Sequence, residues 1–358
     1  MHGTFKNTAI PLLAILLCPL LGKAQTKPFQ HMDVSFTAGS MGVGLDVATP
    51  LCDFLQIRTG FTYMPKLTLN SDFRVETGDG SPVSDSGIQK ISDMMDKTLH
   101  LKVDESVAMD MKPHFAQFKL MLDFLPFRNN KHWKFTAGFF VGGSRIGDAV
   151  NAIEDAPTLL GVTSYNYFYV QSCRQESIFE GIEMGGIQLP DVELDKHYLE
   201  KGMLGIPLGT FHDGKKAMLV PDEYGSVRAQ MRVNRFRPYL GCGYSTALSK
   251  DHSWHFSVEA GVMFWGGKPK VYVDNVYKID VDAIDIDDYR YDIVRPNEDQ
   301  SDFVVDEPLD HVDLVGDLEG INGKVGDMVR LVSRFKCYPN LSISLAYRIP
   351  FSSGSSRR

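Results

Sequence analysis

Five aspartates, Asp280, Asp282, Asp285, Asp287 and Asp288, fall within nine residues, interleaved with Ile and Val. From Asp274 to Glu319 there are 16 Asp or Glu against Lys278, Arg290 and Arg295. Carboxylates at this density offer the several hard oxygen ligands that calcium takes. The EF-hand order of ligands, with a Gly at the sharp turn and a closing Glu, is absent. A solvated acidic loop is the simpler reading, with calcium the only cofactor this segment raises. Elsewhere the titratable residues are scattered. There is no GxSxG, no HExxH and no CxxC. His197 and His212 lie far from other residues at metal-ligand spacing, and His114, at the start of an apolar segment, has no Ser whose position is fixed beside it. No catalytic constellation follows, and the expectation is that the chain is not an enzyme. Cys52, Cys173, Cys242 and Cys337 follow the first 24 residues; of these only Cys173 and Cys337 read as able to meet, and four free thiols is the equal alternative.

A second set of charges sits where charges are costly. Arg58 lies within FLQIRTGFTY, Lys119 and Asp123 within FAQFKLMLDFLPF, and Arg348 within LSISLAYRIPF. Each segment alternates apolar residues with small, polar or charged ones, over roughly the 9–11 residues a tilted strand needs to cross a bilayer. The alternation points to a strand with lipid on one face and a polar lumen on the other. Extending it along the chain aims Asp33, Asp46, Arg58, Lys119, Asp123, Lys134, Arg235, Arg237, His255, Glu259 and Arg348 inward, among Gly60, Gly138, Gly142, Gly241, Gly243 and Gly261. Without His255 that is six basic and four acidic groups. Either they line a basic, anion-favouring path, or they pack as ion pairs with the glycines easing strand coiling. Eight strands close around little more than their own side chains, which favours the packed interior.

The elements that must position these residues come in pairs. Met41–Val47 and Phe54–Tyr63, Phe115–Phe127 and Trp133–Ile146, and Phe236–Ala247 and Trp254–Trp265 are each joined by a short polar turn. Leu341–Phe351 closes the series. The connections between pairs, 64–114, 147–233 and 266–337, are long. Seven strands would leave a barrel odd, and bacterial single-chain barrels are even. Val34, Phe36 and Ala38 are apolar at even positions; Met41, Val43, Leu45 and Val47 at odd ones. A face flip across Gly39-Ser40 makes Asp33–Ala38 the eighth strand, with a tight turn or a bulge between. Trp133, Trp254, Tyr347 and Phe351 fall at one rim and Tyr63 and Trp265 at the other, the two aromatic belts of a membrane barrel. Pro238 removes a ladder donor and marks an expected bulge. Ile88–Leu101, Asp191–Gly202 and Lys324–Phe335 read as short helices in the long connections. At the N-terminus, Lys6, the apolar run Ala9–Leu21 and Gly22-Lys23-Ala24 read as a secretory signal cleaved after Ala24. The fold class is therefore all-β: an antiparallel transmembrane β-barrel of eight strands over 25–358.

VGLDVATPLCDFLQIRTGFTYMP (Val43–Pro65), FAQFKLMLDFLPFRNNKHWKFTAGFFVGGSRI (Phe115–Ile146), FRPYLGCGYSTALSK (Phe236–Lys250), FSVEAGVMFWGGKPKVYV (Phe256–Val273) and YPNLSISLAYRIPF (Tyr338–Phe351) resemble the small outer-membrane β-barrel proteins typical of Bacteroidetes. The resemblance covers most of the wall and little of the connections. It implies outer-membrane location, with periplasmic termini, extracellular long loops, and partnership with membrane lipid and the barrel-insertion machinery. It implies no activity. Two features depart from that family: the connections are unusually long, and SSGSSRR follows Phe351.

The net charge of −8 argues against a nucleic-acid partner. The expected function is a scaffold presenting its loops to an extracellular partner or supporting the envelope. A narrow anion-favouring channel and a lipid-modifying enzyme are the alternatives.

Overall fold

The computed structural model describes residues 28–77, 103–127, 131–173, 202–279, 308–321, 323–334 and 336–351, with runs of one to three residues between 80 and 97 and the pairs 183–184 and 187–188. In chain order β1 (His31–Gly39), β2 (Gly42–Cys52) and β3 (Leu55–Tyr63) lead to β4 (Leu69–Arg74), β5 (Glu76–Thr77) and β6 (Ser106–Pro113). The chain returns as β7 (Ala116–Phe124) and β8 (Trp133–Gly142), then leaves through β9 (Arg145–Asn151) and helix α1 (Ala156–Cys173). β10 (Glu183–Met184), β11 (Ile187–Gln188), β12 (Leu204–Phe211), β13 (Lys216–Leu219) and β14 (Arg228–Arg232) precede β15 (Phe236–Ala247) and β16 (Trp254–Phe264). Last come β17 (Lys270–Val273), β18 (Val276–Ile279), β19 (Val312–Asp313), β20 (Leu318–Glu319), helix α2 (Gly323–Arg334) and β21 (Cys337–Pro350).

Strands β1-β2-β3-β7-β8-β15-β16-β21 form a closed antiparallel barrel, sealed where β1 pairs with β21. The eighth strand is the one the face flip located. Gly39 pairs with Gly42, so Ser40 and Met41 are the whole turn. Gly42 has φ of 97°, and a Cβ there would lie 2.3 Å from the Tyr63 carbonyl oxygen. The hairpin resets which parity faces in, as the alternation required.

The wall is inverted relative to a soluble barrel. Phe36, Leu45, Phe61, Phe135, Leu240 and Leu341 are exposed outside, while Asp46, Arg58, Lys119, Asp123 and Arg237 are buried inside. At the end carrying the short turns and both barrel termini, Trp133 packs edge-on against Tyr244 and Trp254 against Tyr347, with centroids 5.3 and 5.1 Å apart. Trp265 does not join an outer belt at the other end. It is 4% exposed and stacks on Phe115, because it follows the last residue of β16 and turns over the barrel mouth. Nor does Pro238 cause a bulge: its register with Phe139 continues unbroken, and the ladder to β16 begins only at Tyr239.

The long connections are not plain loops. Their described residues build a cap over the mouth with two larger sheets, β19-β17-β14-β9-β6-β4 and β18-β13-β12-β20, with β5 paired to β12, while β10 and β11 pair only with each other. Val107, Leu159, Val162, Tyr165, Leu204 and Val276 form its buried core. Asn166 of α1 clamps β12, its amide donating to the Leu204 carbonyl at 2.8 Å and its oxygen accepting the Leu204 N–H at 2.7 Å. The α1 stripe is legible only with Thr158 and Asn166 counted as buried, and Val, Thr, Tyr and Phe make the segment look strand-like. Helix α2 matches the expectation at Lys324–Phe335. Five described positions within Ile88–Leu101 are helical; Asp191–Gly202 and the signal segment lie outside the described residues, apart from Gly202, which is not helical.

His212, exposed after β12, ties that strand to β20. Its Nδ1 lies 2.7 Å from Glu319 Oε1 and its Nε2 3.1 Å from the Gly316 carbonyl. That carbonyl first, and the Glu319 carboxylate second, raise its pKa. The contact is therefore present below about pH 6.5 and lost as pH rises through the raised value. An NMR titration should give a midpoint above that of free histidine, and Glu319→Gln should lower it. A midpoint unchanged by the substitution would refute the pairing.

Candidate functional site

The barrel interior gathers most of the sequence-predicted residues into one network. Arg58 reaches it from β3. Its Nε donates to Asp123 Oδ2 at 2.9 Å and one terminal nitrogen to Asp123 Oδ1 at 3.0 Å. That same nitrogen lies 2.7 Å from Glu259 Oε2, and the other is 3.9 Å from Asp46 Oδ2. Lys119 holds Asp46 at 2.8 Å, and Lys134 holds Glu259 at 2.9 Å. Thr37 donates to Asp46 and Thr136 to Asp123, at 2.9 and 2.7 Å. The centre thus pairs three cations with three carboxylates. Planar Arg58 serves this role because its fork can engage several carboxylates at fixed angles.

The rest of the predicted set is distributed along the axis. Arg348 binds Asp33 in a fork of 2.8 and 2.9 Å near the barrel termini. Arg237 is 1% exposed near the mouth. It donates to the carbonyls of Asn234 and Gly143 and, at 2.8 Å, to Gln117 Oε1, all neutral acceptors. His255 is half-buried beside the His252 carbonyl. Arg235 departs from the expected lining. It precedes β15 and is exposed, because the inward parity holds only once the ladder begins. Excluding it and pairing the others removes the basic excess behind the anion-favouring reading, except at Arg237.

Sequence reasoning missed Tyr239 and Met121. Tyr239 crosses the lumen, donating to Glu259 at 2.9 Å and accepting from Asn340 at 3.2 Å. Gly261 makes room for it: a Cβ there would lie 2.2 Å from the Tyr239 hydroxyl. The glycine spacing was therefore the signal, since glycines opposite a large aromatic mark where it lies. Beside Arg58, Met121 and Glu259 the lumen holds a cavity of about 20 Å³, space for about one water.

Outside the barrel, His114 Nδ1 is 3.6 Å from Asp148. No group of three or more potential metal ligands occurs among the described residues, and Asp280, Asp282, Asp285, Asp287 and Asp288 lie outside them. Cys52, Cys242 and Cys337 are free thiols. The Cys173 side chain lies outside the described set. Cys242 is exposed on the outer wall, between inward-facing Gly241 and Gly243.

No family model matches the chain, and no curated protein matches it. Among solved structures, Acinetobacter baumannii CarO2 aligns over 90% of this chain and 100% of its own, at 12% identity and a TM-score of 0.36. Acinetobacter baumannii CarO aligns over 89% and 97%, at 10% identity and a TM-score of 0.34. Likeness at this level carries no inference about activity, and the barrel stands on its own closed ladder.

Proposed function

We propose that this chain is a non-enzymatic outer-membrane barrel whose lumen is closed and whose role is to anchor and display the β-rich cap at the cell surface. The observation that carries the reading is the inverted wall: an apolar outer face around a charge-paired interior. Only lipid satisfies such a face, and only closure satisfies its backbone. The termini and short turns then face the periplasm and the cap faces outward, as in other barrels with long extracellular crossings. The packed network and Tyr239 favour a scaffold over a channel. Membrane lipid and the barrel-insertion machinery are its expected partners, and a surface partner would meet the cap.

Two measurements test this. Folded protein should resist SDS and migrate faster than the boiled form, and the chain should fractionate with outer membranes; recovery in the periplasm or cytosol would overturn the location. In planar bilayers, purified protein should stay silent. A stable, anion-selective conductance would overturn the closed lumen and restore the channel reading.

A further inference from the structure

Outside the barrel, a half-open cavity of about 350 Å³ lies between the cap sheets and the barrel mouth. Its roof is one face of the six-stranded sheet. There Met111, Ala149, Ala229 and Val273 form one cross-strand row. The next row contains Gly147 and Met231. Two alanines and a glycine at the centre of a face that packs on another sheet leave volume that Leu or Ile would fill. The opposing wall is Ile206, Leu208 and Leu219, and α2 supplies Val325, Met328, Val329 and Val332, the i, i+3, i+4, i+7 positions of one face. Phe115, Trp265 and Tyr338 form the floor, with ring centroids 5.6 to 6.3 Å apart.

Three features decide what such a space takes. Its lining is almost wholly carbon, so water has few partners there and the cavity does not hold a hydrogen-bonded cluster. Protein interiors are otherwise close-packed, and apolar surface left uncovered in a half-open cavity forgoes the free energy its burial would contribute. Its size lies at the small end of ligand pockets, about 300–1,000 Å³, which admits one chain but not a two-chain lipid. Met109, Met111, Met231 and Met328 contribute unbranched side chains that adapt to a flexible ligand. The floor also lies where β7, β16 and β21 leave the apolar outer wall, beside exposed Phe264 and Leu341. A ligand dissolved in the membrane is thus a short distance away.

We propose that the cavity roofed by Ala149 and Ala229 and floored by Trp265 binds the alkyl chain of one long-chain fatty acid. The site does not require the display role, and it survives if that role is wrong.

The chain has three tryptophans, Trp133, Trp254 and Trp265. Trp133→Phe with Trp254→Phe leaves Trp265 as the sole reporter in full-length protein reconstituted into lipid nanodiscs. Mid-chain brominated stearic acid should quench it saturably, at one molecule per protein. Ala149→Phe with Ala229→Phe fills the space and should weaken saturable quenching at least tenfold while SDS resistance persists. Should that pair fail to fold, Val332→Phe, on a helix face that can shift outward, should produce the same loss. Linear quenching, equal in the parent and the filled variants, would show partition into the bilayer only and overturn the site. Nanodiscs of brominated phospholipid, without fatty acid, form the second arm. Quenching of Trp265 there that the filling substitutions abolish would mean that a membrane lipid's own chain occupies the cavity, which would overturn the fatty-acid assignment.

Discussion

Arg58→Met should be the most damaging single substitution in the barrel interior. Arg58 is 8% exposed and, among the described residues, is the only one that touches all three central carboxylates. Removing one partner of a buried pair leaves uncompensated charge and costs about 3–5 kcal/mol. Without Arg58, Asp123 keeps only the Thr136 hydroxyl among its side-chain contacts described above, whereas Glu259 retains Lys134 and Asp46 retains Lys119. The damage should therefore concentrate at Asp123. Arg58→Met with Asp123→Leu should recover part of the loss, since the pair rather than either charge is the unit. Arg58→Lys should fall between, because a single ammonium cannot fork across Asp123 and reach Glu259 together. The temperature at which the compact SDS-resistant band disappears, and the urea midpoint in lipid vesicles, measure all four proteins. Wild-type stability in Arg58→Met would show that the network contributes nothing to the closed state.

Ile343→Arg should destabilise by about 2–4 kcal/mol if the wall faces lipid, the cost of a cation at the midplane of an outer-membrane barrel. Ile343 lies near the centre of β21, between Ala38 of β1 and Val258 of β16, and is 49% exposed. In water the same substitution on a half-exposed strand position would be close to neutral, within about 0.5 kcal/mol. The sign and size therefore separate a membrane barrel from a soluble one at a single residue. Tyr347→Arg, near the terminal rim, should cost much less, because the penalty falls toward about 0–1 kcal/mol at the interface. Equal effects at the two positions would remove the depth dependence and with it the membrane reading. The comparison is best made by reversible unfolding into urea from preformed vesicles.

The wall was legible because each barrel strand satisfies a local rule. Period-2 alternation assigns a side chain to one face without knowledge of its neighbours, and a parity break such as Gly39-Ser40 reports a turn just as locally. The inward aim of Asp46, Arg58, Lys119, Asp123 and Glu259 follows from that alone, and the eight strands follow once the even strand number of bacterial barrels is added. Near strand ends the rule weakens. Arg235 and Trp265 have the parity of wall residues, but the ladder stops beside each of them, so one is exposed above the mouth and the other folds over it.

The cap was not legible for the opposite reason. Its strands are short, several only two to five residues, and most pair with partners far away in sequence, β14 with β9 and β12 with β20. Two residues carry no period. The apolar cavity depends on Gly147, Ala149 and Ala229 lying opposite Ile206, Leu208 and Leu219 from another sheet, and nothing local distinguishes those small residues from ordinary surface ones. Charge arithmetic alone left two readings of the six basic and four acidic inward positions, a basic path or packed ion pairs; barrel size favoured the pairs, and only the distances show which cation meets which carboxylate. The sequence by itself determined a barrel wall, its strand number and its inward charges, because a strand's two faces are set residue by residue. Only the tertiary structure decided which inward charges pair across the lumen and that an apolar space lies above it, because both depend on which residues meet across the fold.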